Sequence, residues 1–183
     1  MEQLNILVIS GGNRVESFNT KVAKALVTLA PEGTQLTLAD ITKLPLYNQD
    51  LEENYPAEAA SLKEQIRAAD GIIFVTPEYN RSIPTALKNA LDWASRPYGE
   101  SAWNGKPVMI TGATPGGTGT TQAQAHLRQI VTYLNMRILG QPEIYLSHVA
   151  DLLAEDGSIA DESTRELLSG ALATFAEFVT KLK

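Results

Sequence analysis

The run Ser10-Gly11-Gly12-Asn13-Arg14-Val15-Glu16-Ser17-Phe18-Asn19 combines adjacent glycines, a guanidinium and short polar side chains. Glycines at 11 and 12 allow backbone to approach a ligand closely. Ser17 and Asn19 fall where a helix would begin, and the N–H groups exposed there favour anions. Arg14 adds a planar, permanently charged fork suited to phosphate. Charge-assisted hydrogen bonds contribute about 1.5–3 kcal/mol each, so a few would hold one phosphate. The same residues also read as a glycine turn, a helix cap and a solvated arginine.

Two further stretches have ligand-binding composition. Thr76-Pro77-Glu78-Tyr79-Asn80-Arg81-Ser82-Ile83-Pro84 is a stiff segment bracketed by prolines. Stiffness lowers the ordering cost of binding. Its backbone would pair with the edge of a heterocycle while Tyr79 covers a face; alternatively it is only a rigid loop. Glu78 is open between site border, subunit contact and solvated charge. Gly112-Ala113-Thr114-Pro115-Gly116-Gly117-Thr118-Gly119-Thr120-Thr121 would let backbone lie flat against a planar ligand, or form a mobile lid with no partner.

Other chemistries find no matching residues. There is no Gly-x-Ser-x-Gly elbow for a hydrolase. Neither a G-x-x-x-x-G-K-[ST] loop nor a Gly-x-Gly-x-x-Gly after the first strand is present. A receiver domain needs carboxylates where this chain has Ser10-Gly11 and Thr76-Pro77. With no cysteine, thiolate zinc sites, iron–sulfur clusters, disulfides and cysteine nucleophiles are excluded. His126 and His148 lack metal-ligand spacing, so no metal is expected. Trp93, at helical spacing from Ala90 and Ala86, reads as core; Trp103 would shape a pocket or a subunit contact.

The elements that must position these loops are legible as alternating patterns. Leu4 to Ile9, Thr34 to Ala39, Ile72 to Val75, Pro107 to Thr111 and Glu143 to Leu146 read as strands. Between and after them, helical stripes run through Phe18, Val22, Leu26 and Leu29, then Leu62, Ile66 and Ala69. Leu87, Leu91 and Ala94 follow Pro84, which suits a first helical turn. The last two stripes are Leu127, Ile130, Val131 and Leu134, and Leu168, Leu172, Phe175 and Val179. Asp40 to Pro56 has no clear period and reads as a long surface loop. Five strand–helix alternations predict a three-layer α/β/α sandwich around a five-stranded parallel sheet, order 2-1-3-4-5. All three loops then meet at the carboxyl end of that sheet, beside its topological switch point.

The 183 residues fit one domain, 1–183, with 44% apolar and 20% charged residues in the ordinary globular range. A net charge of −6 weighs against nucleic-acid binding, which phosphate neutralisation dominates. Met1-Glu2-Gln3-Leu4-Asn5 lacks the basic and apolar regions of a signal peptide, and no run reaches the ~20 apolar residues of a membrane span. A soluble, cytoplasmic protein without membrane insertion is expected.

The run Gly11 to Asn19, the run Pro77-Glu78-Tyr79-Asn80-Arg81-Ser82-Ile83-Pro84-Thr85-Ala86-Leu87-Lys88-Asn89-Ala90-Leu91-Asp92-Trp93, and His126-Leu127-Arg128-Gln129 resemble the NADPH-dependent FMN reductase family, especially its bacterial quinone and chromate reductases. The resemblance spans nearly the whole chain, and the second run is its specific part. It implies a flavodoxin-like fold, bound FMN and a homodimer or homotetramer. It also implies that Gly11, Arg14, Ser17, Phe18 and Asn19 cradle the cofactor's phosphate end. Pro77, Glu78, Tyr79, Asn80 and Ser82 would border the flavin ring, with Thr114, Gly116, Gly117 and Gly119 on its other edge. Gly12 departs from the family's usual Ser, and the third loop is richer in Gly and Thr than is usual.

The activity so implied is ping-pong oxidoreduction: NADPH or NADH reduces FMN, and an acceptor such as a quinone then takes two electrons. Chromate, azo and nitro compounds are further acceptors. The cofactor carries the chemistry, so no catalytic side chain is required and the Tyr79–Asn80 loop only tunes it. Two alternatives stay open: a reductase releasing free reduced FMN, and a non-enzymatic flavodoxin-like electron carrier.

Overall fold

Leu4–Ser10 forms β1 because Ile6 and Val8 face one way and Leu7 and Ile9 the other, and helices cover both sides. In this computed structural model, which describes residues 3–183, β1 is an interior strand, second from one edge of the sheet; Met1 and Glu2 lie outside the described residues. β2 (Thr34–Ala39) and β3 (Gly71–Val75) flank it in parallel, with Ile6 level with Leu36 and Gly71. β4 (Pro107–Ala113) runs parallel beyond β3.

The two faces divide the core. Val8, Ile73 and Val75 pack against Val22 and Leu26 of α1 (Phe18–Thr28) and Leu168, Phe175 and Val179 of α5 (Glu162–Leu182). Ile72, Phe74 and Ile110 pack against α2 (Ala57–Ala68), α3 (Thr85–Ala94) and α4 (Thr121–Tyr133) through Leu62, Ile66, Leu87, Leu91, Leu127 and Val131. Consecutive residues of β3 therefore serve opposite layers, and the three-layer sandwich follows from that alternation.

The fifth position of the sheet differs from the sequence expectation. Two short strands share it, giving a six-stranded sheet in the order β2-β1-β3-β4-β5 with β6 also on β4. β5 (Arg137–Ile138) pairs with Pro107 and Val108, and β6 (Ile144–Leu146) pairs with Thr111 to Ala113. Two residues are too few to carry a period, so β5 left no trace in the pattern. The chain leaves the ladder at Gly140-Gln141-Pro142, where proline has no N–H to donate. β4 itself runs on to Ala113, past the expected end at Thr111.

The segment 40–56 lacks a period but is anchored. The Pro45 carbonyl accepts from Trp93 Nε1 at 2.7 Å and from Asn89 Nδ2 at 2.9 Å. Tyr47 and Tyr55 meet the Trp93 ring edge-on at 5.0 and 5.2 Å. Trp93 is fully buried, as its helical spacing suggested, and Trp103 is buried too, with Nε1 donating to the Leu91 carbonyl at 3.0 Å. Among the described residues no helix is long and apolar enough to cross a membrane.

Candidate functional site at the carboxyl end of the sheet

The chain leaving β1 is tied down before α1 begins. Gly11 N–H donates to the Val75 carbonyl at 2.9 Å, Gly12 N–H to Ser10 Oγ at 3.2 Å, and Thr20 Oγ1 to the Gly12 carbonyl at 3.1 Å. Ser17 is the N-cap: its hydroxyl accepts from Thr20 N–H. A cap of this kind leaves the first-turn N–H groups at Phe18 and Asn19 without intrahelical acceptors, and the positive end of the helix dipole lies there. Arg14 stands over the Phe18 ring at 5.8 Å and is exposed. Glu16, which would repel an anion, is paired with Lys21 at 2.6 Å; that hydrogen-bonded ammonium holds its carboxyl below the usual range.

Gly12 has a steric reason. A Cβ there would lie 1.9 Å from Ser17 Oγ and 2.9 Å from Ser17 Cβ. The capping serine thus occupies the space that a side chain at position 12 would need.

The loop after β3 carries an unusual turn. Tyr79 and Ser82 exchange backbone hydrogen bonds of 2.9 and 3.0 Å, and both residues between them have positive φ, Asn80 at 50° and Arg81 at 66°. That is the signature of a type I′ turn, usually built from glycine or asparagine. An arginine in the left-handed region is strained, and such strain clusters at functional sites. Tyr79 remains half-exposed at the turn's base. The Glu78 side chain is nearly buried. One carboxylate oxygen accepts from Gln122 and Ala123 N–H at 3.0 and 3.1 Å, and the other from Arg81 Nη1 at 3.2 Å. Ser82 Oγ lies 3.1 Å from His126 Nδ1.

The loop after β4 is held rather than mobile. Thr114 N–H donates to the Leu146 carbonyl, and the Thr114 carbonyl accepts from Val149 N–H. His148 N–H reaches the Gly116 carbonyl, and Ser147 Oγ the Gly117 carbonyl. The Asn19 amide reaches across from α1 and makes both its bonds to Ala113. Gln124, fully buried in α4, donates to Thr120 Oγ1 and to the Ile144 carbonyl.

These loops enclose an open cleft of about 210 Å³. Arg14, Ser17, Phe18 and Asn19 form one end; Pro77, Glu78 and Tyr79 form one wall; Ala113, Thr114 and Pro115 form the other. Of the residues singled out in the sequence, eight therefore meet in one cleft, while Gly11, Asn80, Ser82, Gly116, Gly117 and Gly119 do not line it. Ala113 and Pro115 were not singled out, although Pro115 opens the glycine-rich run. Among the described residues no cluster of three or more histidines and carboxylates could hold a metal. A helix start with free N–H groups beside a cleft between two loops fits what FMN needs: donors for a phosphate, then a place for a planar ring.

A family model described as NADPH-dependent FMN reductase matches residues 4–151, which include every strand and all three loops. The chain belongs to that family. It is an NAD(P)H-dependent FMN reductase by membership, and its relatives narrow the neighbourhood. A 2-hydroxy-1,4-benzoquinone reductase from a Burkholderia species is 46% identical over 176 residues, covering 96% of both chains. A quinone reductase from Pseudomonas putida is 43% identical, covering 96% of this chain and 94% of its own. Among solved structures, the flavoenzyme NAD(P)H:(acceptor) oxidoreductase FerB from Paracoccus denitrificans superimposes with a TM-score of 0.91. That likeness has 38% identity and covers 97% of this chain and 98% of FerB. The flavodoxin-like FMN reductase fold and the strand order expected from the sequence are thereby established.

Proposed function

We propose that this FMN reductase is a quinone reductase that keeps its FMN through turnover and uses NADPH or NADH as donor. The carrying observation is the cleft that runs from the N-terminus of α1 to the open slot between Pro77–Tyr79 and Ala113–Pro115. Relatives named for quinone reduction, alike over nearly their full length, support the choice of acceptor.

In this reading the N–H groups at Phe18 and Asn19, the Ser17 hydroxyl and Arg14 bind the phosphate. The two walls orient the ring, and half-exposed Tyr79 faces the arriving nicotinamide or quinone. Bound FMN supplies the two-electron chemistry between donor and acceptor. The residues supply position: holding both partners of a transfer in one place removes several kcal/mol of barrier by proximity. The enzyme works as a homodimer or homotetramer, and Tyr98 and Tyr133, almost fully exposed along one groove, support an assembly contact.

The test is steady-state turnover by purified protein of measured flavin content, with NADPH or NADH and a benzoquinone. One FMN per chain, parallel double-reciprocal lines and no dependence on added FMN are expected. Added FMN behaving as a saturable substrate would shift the reading to a reductase that releases reduced flavin. A yellow protein that fails to oxidise either nucleotide would shift it to an electron carrier.

A further inference from the structure

α4 begins without the usual cap. Its N-cap, Thr120, sits at φ 66° and makes no side-chain cap, and its first turn contains no acidic residue. A helix start without a cap is costly unless another group satisfies its N–H donors. Here the group comes from a different loop: the Glu78 carboxylate, 44 residues earlier, accepts from Gln122 and Ala123 N–H. The same carboxylate holds Arg81, the strained arginine of the Asn80–Arg81 turn. Ser82 adds a second link to α4 through His126.

The geometry points to Glu78 as a positioning residue that bolts the Pro77–Ser82 wall of the cleft onto the segment closing the opposite wall. That segment is already fixed, because Gln124 ties Gly119 and Thr120 to Ile144 of β6. One carboxylate therefore sets the separation of the two walls and the pose of Tyr79 in the first of them. Its negative charge is spent on a helix start and a guanidinium, which makes it a mechanical part and leaves the ring pocket without a bare anion. The inference rests on the FMN-site reading for its functional consequence, but the link between loop and helix is independent of any ligand.

The experiment compares wild type, Glu78→Ala, Glu78→Gln and the double variant Glu78→Ala/Gln122→Glu. The last restores an acidic first turn to α4 without restoring the link to the loop. In apoprotein, hydrogen exchange at the Tyr79 and Ser82 amides is expected to accelerate roughly 10-fold or more in Glu78→Ala as the turn opens locally. The double variant should recover the melting temperature but keep that fast exchange. In FMN titrations, both alanine variants should bind about 10-fold more weakly, with a shifted flavin absorption band. Glu78→Gln, which retains an acceptor, should fall between them and wild type. Unchanged exchange at Tyr79 and Ser82 in Glu78→Ala would overturn the inference. So would recovery of both exchange and FMN affinity in the double variant, since Glu78 would then serve only the helix. If wild type itself bound no FMN, the FMN reading would fall while the exchange measurement still decided the positioning role.

Discussion

Asn19 and Ala113, 94 residues apart, are joined face to face: the Asn19 amide nitrogen donates to the Ala113 carbonyl at 2.8 Å, and Ala113 N–H donates back to Asn19 Oδ1 at 2.9 Å. The pair is buried and locks the start of α1 to the end of β4. The α1 end of the cleft and one of its walls are therefore tied directly together. The Asn19 side-chain oxygen and one of its two N–H donors are committed to Ala113, so in the phosphate reading Asn19 serves chiefly through its backbone N–H.

Asn19→Ala strips partners from two buried backbone groups at once. At about 1–3 kcal/mol for each buried group left unsatisfied, we expect a loss of roughly 2–6 kcal/mol in denaturant unfolding. The FMN affinity of the folded fraction should fall as well, because the two ends of the site are no longer in register.

Arg14→Ala should act differently. Arg14 is exposed, so the melting temperature should hardly move. If the guanidinium meets the phosphate, the loss of its charge-assisted hydrogen bonds weakens FMN binding by about 10- to 100-fold. Titration of apoprotein with FMN reads this directly, and an unchanged affinity would remove Arg14 from the phosphate site.

Gly12→Ala should destabilise through Ser17. A Cβ 1.9 Å from Ser17 Oγ forces the capping hydroxyl to turn away, and the 2.9 Å contact with Ser17 Cβ adds overpacking. The expected cost is about 1–3 kcal/mol. Combined with Ser17→Gly, the substitution should cost less than the sum of the two alone, which a double-mutant cycle of unfolding free energies would reveal.

Asp70 gives a pH dependence of known sign. Partial burial pushes its carboxyl up, but the Asn5 N–H at 2.8 Å and the Lys183 ammonium at 2.8 Å outweigh it and hold the pKa below the ordinary value. A folded-state pKa below the unfolded one stabilises the protein above the unfolded value of about 3.9, and that contribution disappears as pH falls through the folded value. Asp70→Asn should therefore be less stable than wild type at pH 7, and the gap should close as acid takes the pH below the folded-state pKa. A gap of equal size at both pH values would show that the charge is irrelevant.

How much of this was legible in the sequence depended on whether the signal was periodic. β1 and β3 are continuous apolar runs, and the stripes Val22–Leu26 and Leu168–Leu172–Phe175–Val179 repeat at helical spacing, so those elements were readable. Arg137–Ile138 is a strand only because β4 offers it a partner, and nothing local says so. The loops stood out by composition, and eight of the named residues do meet in one cleft. What composition could not reveal was where side chains spend their hydrogen bonds. Asn19 is spent on Ala113 and Glu78 on α4, both across long sequence separations. No local pattern announces the Glu78 link: α4 lacks an acid in its first turn, but so do α1 and α3.

The divided fifth position of the sheet has a further consequence, for self-association through backbone. An intruding strand needs several consecutive exposed N–H and C=O groups in a straight line. Beyond β4 it would meet two residues of β5, a detour through Pro142, and three residues of β6, which never present such a line. That margin resists edge-to-edge growth, and unwanted strand addition is confined to the opposite margin, the six residues of β2.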